Sequence, residues 1–211
     1  MTMYRLTAAA LLAAGVLFGL PELRAANIVF STAPFEGSTA LQTPGRQVSS
    51  IGELFLGSFN VATDVFQFNN AGFGVQQLQF INTPSSSLPA TGFNLVVLQD
   101  SDNDNDPLTA FNAGAAANVI ADRITADGAG FFVYYNSSLM LNRLVYSTNL
   151  NVNTADLQIL ARINSPTGNA AIAALPSFVE SNFQVVPEPS TGHLFAGASA
   201  LLVALSRFRK R

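Results

Sequence analysis

Apolar residues occur in the middle of the chain as short alternating or continuous runs, separated by clusters of Gly, Pro, Asn and Ser. Such runs predict β-strands, because successive side chains of a strand point to opposite faces of its sheet. The run F-N-L-V-V-L-Q at residues 93–99 is nearly continuous, which predicts a strand buried on both faces. The predicted strands are residues 28–30 (a short edge strand), 54–56, 59–61, 65–68, 75–81, 93–99, 130–135, 143–147 and 156–163.

An amphipathic helix is predicted after the strand at 93–99. Asp106 is a favourable N-cap and Pro107 suits the first helical position, so the helix is expected to begin there and to end near Ile124. Its apolar stripe would consist of Leu108, Phe111, Ala115 and Val119.

These elements predict a mainly β fold over residues 27–186: a single β-sandwich-like domain with one α-helix crossing after the strand at 93–99. The alanine-rich run at 168–175 is a further, short helical candidate, and 177–186 is expected to be extended. An α+β layered domain is the alternative, because the order strand, helix, strand also suits that class.

The first 25 residues have the pattern of a secretory signal peptide. Arg5 supplies the positive charge, residues 6–20 form the apolar stretch, and small residues permit cleavage after Ala25 or Ala26. A signal anchor is the alternative, but Pro21 ends the apolar run early.

The C-terminal residues 187–211 combine three features in a fixed order. Pro187, Glu188 and Pro189 form a short rigid motif, and an apolar segment of 15 residues follows at 192–206. As a helix this segment would rise about 22 Å, less than the roughly 30 Å of a hydrocarbon core, so it is a weak permanent anchor. The chain then ends in a basic cluster that is expected to stay cytoplasmic: Arg207, Arg209, Lys210 and Arg211.

This tail resembles the PEP-CTERM sorting signal of Gram-negative bacteria, in which a V-P-E-P-S-T-like motif, a short apolar helix and an Arg-rich end are read by an exosortase. His193 departs from the family, where that position is usually apolar. The resemblance implies transient anchoring in the inner membrane, processing near Pro187 to Pro189, and signal peptidase and exosortase as partners during export. An ordinary tail anchor is the alternative.

The family association is with bacteria that produce exopolysaccharide. The resemblance therefore implies a cell-envelope or extracellular-matrix protein of the biofilm, without catalytic activity, and extracellular polysaccharide as a partner. The central block of the chain also resembles the body of uncharacterised PEP-CTERM proteins, which implies no particular activity.

Composition narrows the chemistry open to residues 27–186. Eleven acids against four arginines give this region a net charge of −7 with no Lys, which argues against nucleic acid as a partner. The chain has no Cys, and its one His, His193, lies in the tail. His-based triads, Cys nucleophiles, Schiff-base lysines and the usual zinc sites are therefore excluded for this region.

Carboxylate chemistry remains open, so the alternative function is a polysaccharide-acting enzyme such as a glycoside hydrolase, in which two acids flank the scissile bond. The sequence disfavours it, because the chain has no Trp to form a sugar-binding platform and the region keeps three glutamates: Glu36, Glu53 and Glu180.

Acidic residues recur at every second position directly after the strand at 93–99, in the segment D-S-D-N-D-N-D-P. Four carboxylates so close together repel one another, and a hard cation with oxygen ligands would relieve that repulsion. The segment is not an EF-hand, because Phe111 stands where the twelfth-position Glu would be. Ca²⁺ is therefore the candidate cofactor, and the alternative is a solvated turn with a helix cap. The candidate metal ligands are Asp100, Asp102, Asp104 and Asp106.

Overall fold

A computed structural model describes residues 25–187 of the chain. These residues form a mainly β fold of ten strands, three α-helices and two sheets, so the predicted fold class is confirmed at that level. The strands are β1 (Asn27–Phe30), β2 (Val48–Ser49), β3 (Leu54–Leu56), β4 (Val65–Asn69), β5 (Phe80–Thr83), β6 (Leu95–Leu98), β7 (Gly130–Asn136), β8 (Leu141–Ser147), β9 (Leu157–Ile163) and β10 (Phe183–Val186). The helices are α1 (Asn70–Phe73), α2 (Ala113–Ala121) and α3 (Asn169–Ala174).

The smaller sheet has three parallel strands in the order β1-β4-β10. The larger sheet has seven strands in the order β2-β9-β8-β7-β6-β5, and β3 also pairs with β9. In this sheet β8 pairs antiparallel with β7 and with β9, and the other pairs are parallel. Strands that are distant in the sequence are thus neighbours: β4 pairs with β1 on one side and with β10 on the other.

Two apolar clusters bury both faces of the larger sheet. The first contains side chains of both sheets, and Phe68 of β4 stacks on Phe131 of β7 with ring centroids 4.0 Å apart. The second lies on the opposite face and includes Phe132 of β7 and Ile120 of α2. The prediction that 93–99 is buried on both faces is therefore confirmed in its central part, since every residue of β6 is buried.

The prediction that the helix begins at Asp106 is wrong. Helix α2 begins at Ala113, and its N-cap is Asn112, whose side-chain oxygen accepts a hydrogen bond from the Ala115 N–H at 3.1 Å. Leu108 does not join the apolar stripe and is 91% exposed. The buried face of α2 instead consists of Ala113, Ala116, Ala117, Ile120 and Ala121.

Two predicted strands are also corrected. Residues 59–61 form a loop and turn, because Phe59 is buried by stacking on Phe66 (centroids 4.3 Å apart) rather than by joining a sheet. In the run 75–81 the strand begins only at Phe80, since the Asn94 side chain binds the backbone of the residues before it. Residues 25–187 form three α-helices, where one crossing helix and a short candidate were expected. The short candidate at 168–175 is confirmed as α3.

Most of the predicted signal peptide (1–25) and of the predicted sorting signal (187–211) falls on residues 1–24 and 188–211, outside the described residues. None of the helices formed by residues 25–187 is long and apolar enough to cross a membrane.

Candidate functional site

The first of the four aspartates at 100–106 has a defined structural contact. Asp100 follows β6, and its two carboxylate oxygens accept hydrogen bonds from the Ser85 N–H at 2.6 Å and the Ser85 hydroxyl at 2.8 Å. Asp100 therefore fastens the end of β6 to the turn that follows β5.

The other three aspartates form a series of tight turns. Asp102 accepts from the Asp104 N–H at 3.1 Å, Asp104 from the Asp106 N–H at 3.0 Å, and Asp106 from the Leu108 N–H at 2.9 Å. Each carboxylate thus binds the backbone two residues further on, the usual pattern of an Asx turn. The hydrogen bond from the Asp104 N–H holds the pKa of Asp102 below its ordinary value.

This geometry does not bring the four carboxylates to one point. Among residues 25–187, no three His, Cys, Asp or Glu side chains come together in a group that would hold a metal ion. The carboxylate oxygens are hard ligands that suit Ca²⁺, but each of these four already accepts at least one hydrogen bond. Calcium binding at this loop stays a prediction.

Sequence reasoning missed a buried ionic cluster around Glu53, which precedes β3. The Glu53 carboxylate is 4% exposed and binds two guanidinium groups, Arg143 of β8 (2.6 Å) and Arg162 of β9 (3.3 Å). Arg143 and Arg162 are direct neighbours in the register of β8 and β9, so both project from the same face of the sheet. The sequence carries no local signal of this contact, because some 90 residues separate Glu53 from the first of its partners.

On the same face of the sheet, an aromatic residue flanks this cluster on each side. Tyr134 lies opposite Arg143 in the register of β7 and β8, and burial raises the pKa of its phenol. On the other side, Phe55 lies opposite Arg162, whose guanidinium sits 4.7 Å from the ring centroid. Phe55 is 66% exposed, so this end of the row reaches the surface.

A cleft of about 160 Å³ lies between the segment after β1 and the turn that joins β2 to β3. Phe30 and Phe73 form its apolar wall, and Gln158 of β9 lines it as well. The Gln158 amide donates to the Ile51 carbonyl at 2.8 Å. Among the residues that line this cleft, Glu36 is the single carboxylate.

The first residue of the predicted sorting motif is the last one that the structure describes. Pro187 is exposed and directly follows β10. Glu188, Pro189, the apolar segment 192–206 and the basic cluster with Arg207, Arg209, Lys210 and Arg211 lie outside the described residues.

A scan against protein-family models, a search of curated proteins and a search of solved structures found no match to this chain.

Proposed function

We propose that this chain is an exported, exosortase-processed protein of the cell envelope or extracellular matrix, associated with the exopolysaccharide of a biofilm and without catalytic activity. The observation that carries the proposal is the tail at 187–211, where the P-E-P motif, an apolar segment and a basic end follow one another. A cleaved signal peptide at 1–25 would deliver the chain across the inner membrane.

The positions of the first and last described strands support this proposal. β1 begins at Asn27, directly after the proposed signal-peptide cleavage sites, and β10 ends at Val186, directly before the motif. β1 and β10 are the two edge strands of the smaller sheet. Processing at both ends would therefore leave all ten strands intact.

The surroundings of the three glutamates among the described residues favour a non-enzymatic role. Glycoside hydrolases place two carboxyl groups across the scissile bond, about 5–10 Å apart. Glu53 is held by two arginines, Glu36 lines the cleft as its single acid, and Glu180 lies in a short 3₁₀ helix before β10. A polysaccharide-turnover assay with the processed protein separates the two functions, since hydrolysis that is lost in a variant of one Asp or Glu, such as Glu36→Gln, would establish the enzyme.

We also propose that the domain is sandwich-like. The two sheets would pack face to face in a sandwich-like arrangement, supported by the stacking of Phe68 on Phe131 and by the aromatic residues of both sheets in one cluster.

The test of sorting replaces Pro187, Glu188 and Pro189 together by Ala in a Gram-negative host that has an exosortase. Because the motif would no longer be read, we expect an uncleaved tail and a protein held in the inner membrane. Fractionation and the mass of the C-terminal peptide provide the measurement.

The matched control replaces the same residue types at three exposed positions of the described domain, Pro89, Pro107 and Glu180. This control should be processed and released like the unchanged chain. Normal processing of the 187–189 variant would show that the motif is not the signal.

A further inference from the structure

The cleft between the segment after β1 and the turn that joins β2 to β3 is lined by a residue whose buried oxygen has no partner. Gln158 is 2% exposed, and its Oε1 accepts no hydrogen bond from any of residues 25–187. Buried side-chain oxygens nearly always have a partner, and an oxygen that lacks one costs free energy. A hydrogen-bond donor that enters the cleft and reaches this oxygen would remove that cost.

The nitrogen of the same amide fixes the position of the oxygen. Nε2 of Gln158 donates to the Ile51 carbonyl at 2.8 Å and to the Ile159 carbonyl at 3.1 Å, so both of its hydrogens are used. The amide cannot turn over without losing both bonds. Ile51 belongs to the turn that forms one side of the cleft, so the amide reaches from β9 to that turn and presents Oε1 as an acceptor only.

The charge of the cleft is negative and uncompensated. Glu36 lines it with an exposed carboxylate, and no ion pair joins Glu36 to an arginine among residues 25–187, in contrast to Glu53. None of the four arginines of residues 27–186 lines the cleft, and that region has neither Lys nor His. The net charge of −7 over the same region acts in the same direction. The cleft therefore favours a cation and disfavours an anion.

The remaining walls of the cleft are largely apolar and enclose a small space. Phe30, Phe73 and Leu160 contribute to them, and the volume is about 160 Å³. Pockets for drug-sized molecules measure roughly 300–1,000 Å³, so the ligand of this cleft is about one ring in size. Aromatic walls next to a carboxylate suit an organic ammonium ion, because aromatic faces attract cations and cover the apolar body of the ligand. A metal ion has no apolar body for these walls to cover.

We infer that this cleft binds a small organic ammonium ion. Its N–H groups donate to Oε1 of Gln158 and to the Glu36 carboxylate, and its ring packs against Phe30 and Phe73. Two sources supply this chemistry: a free amine, and an amino-sugar unit whose amino group is not acetylated. The second source rests on the proposed association with exopolysaccharide, and the first does not.

The test is a saturation-transfer NMR titration of the full chain, purified from its host cell, with cyclohexylammonium as the probe. A ligand of about seven non-hydrogen atoms should bind with a dissociation constant on the order of 1 mM. Cyclohexanol has the same ring and a neutral donor, and it should bind about tenfold more weakly because its hydrogen bonds are not charge-assisted. Equal affinities, or no binding of cyclohexylammonium up to about 20 mM, would overturn the inference.

Two variants locate the binding site. Glu36→Gln keeps the shape of the side chain and should weaken binding about fivefold, the effect of losing one exposed charge pair. The matched control is Glu180→Gln, an exposed acid outside the cleft, which should leave the affinity unchanged. Gln158→Met removes the unpartnered oxygen and should weaken binding about tenfold. Unchanged affinity in Glu36→Gln would overturn the inference even if Gln158→Met does not fold.

Glucosamine and N-acetylglucosamine distinguish the two sources. Binding of glucosamine with the affinity of cyclohexylammonium would support an amino-sugar unit, and binding of cyclohexylammonium alone would support a free amine. Tighter binding of N-acetylglucosamine than of either ammonium would overturn the inference, because that sugar is neutral. The proposed sorting is read separately, from the mass of the C-terminal peptide, so its failure is distinct from a failure of binding.

Discussion

Glu53 joins three strands through one carboxylate. Its side chain is almost fully buried between Arg143 and Arg162, whose own side chains are 12% and 25% exposed. Buried ion pairs add little when complete, because desolvation offsets the attraction, but removing one partner leaves an uncompensated buried charge. At the scale of single residues, Glu53 is therefore a position where a small chemical change has a large effect.

Glu53→Gln keeps the shape of the side chain and removes its charge. We expect a loss of about 3 kcal/mol in the free energy of unfolding, because two guanidinium groups then lack a counter-charge. Glu36→Gln, at an exposed position, should change it by less than about 0.5 kcal/mol. Urea denaturation of both variants is the measurement, and equal midpoints would contradict the assigned role of Glu53.

Calcium binding by the aspartates at 100–106 would make the stability of the protein depend on Ca²⁺. If the loop binds Ca²⁺ with the affinity of extracellular modules, about 10⁻⁴–10⁻³ M, then ion at ten times the dissociation constant adds about 1.4 kcal/mol to stability. Thermal unfolding with about 5 mM CaCl₂ should then give a midpoint a few degrees above that in EDTA.

Asp102→Asn combined with Asp104→Asn should abolish the rise caused by Ca²⁺. Identical curves for the unchanged protein with and without Ca²⁺ would leave the loop as the series of Asx turns that its hydrogen bonds describe.

At the scale of elements, the start of α2 shows how tertiary contacts override a local signal. Asp106 and Pro107 satisfy the usual rules for a helix start, but the Asp106 carboxylate binds the Leu108 N–H within a turn. Phe111 is fully buried, and its N–H donates to the Ser137 hydroxyl at 2.8 Å, which fixes the chain one residue before the true N-cap. The helix therefore begins only after this contact, at Ala113.

Arg46 holds the same helix from the other side. Its guanidinium donates to the Gly114 carbonyl at 2.8 Å and to the Asn118 side-chain oxygen at 2.6 Å. Burial lowers the pKa of Arg46, with the nearby Asp156 acting in the opposite direction. The segment before β2 is thereby attached to α2.

The position of the cap gives a direct test. Asn112→Ala should destabilise the protein by about 1 kcal/mol, because the Ala115 N–H loses its acceptor at the first turn of α2. Asp106→Ala is the control, and because its turn is exposed it should change stability by less than about 0.5 kcal/mol in EDTA. Chemical denaturation of both variants is the measurement, and the reverse order of effects would place the helix start at Asp106 after all.

At the scale of the whole molecule, the order of strands decides which residues meet. β4 lies between the first and the last described strand, and β9 pairs with β2, β3 and β8. These pairings assemble the Glu53 cluster and the cleft, and each of them joins segments that are far apart in the sequence. The turns of Asp102, Asp104 and Asp106 are the exception, since their hydrogen bonds are made within residues 102–108.

The sequence alone determined the elements whose signal is local. The apolar runs at 65–68, 93–99, 130–135, 143–147 and 156–163 each coincide with most of a strand of the structure, because burial on a sheet imposes its own pattern on a few consecutive residues. The three-part tail and the exclusion of His, Cys and Lys chemistry from residues 27–186 also follow from the sequence alone.

Only the tertiary structure decided the features that depend on distant partners. The parallel pairing of β1 and β10 with β4, the stacking of Phe59 on Phe66, the start of α2 and the burial of Glu53 between two arginines belong to this group. A periodic pattern reports which face of a segment is buried, but it does not say which segment covers that face. That choice is made by packing and hydrogen bonding between segments far apart in the chain, and it exists only once the chain has folded.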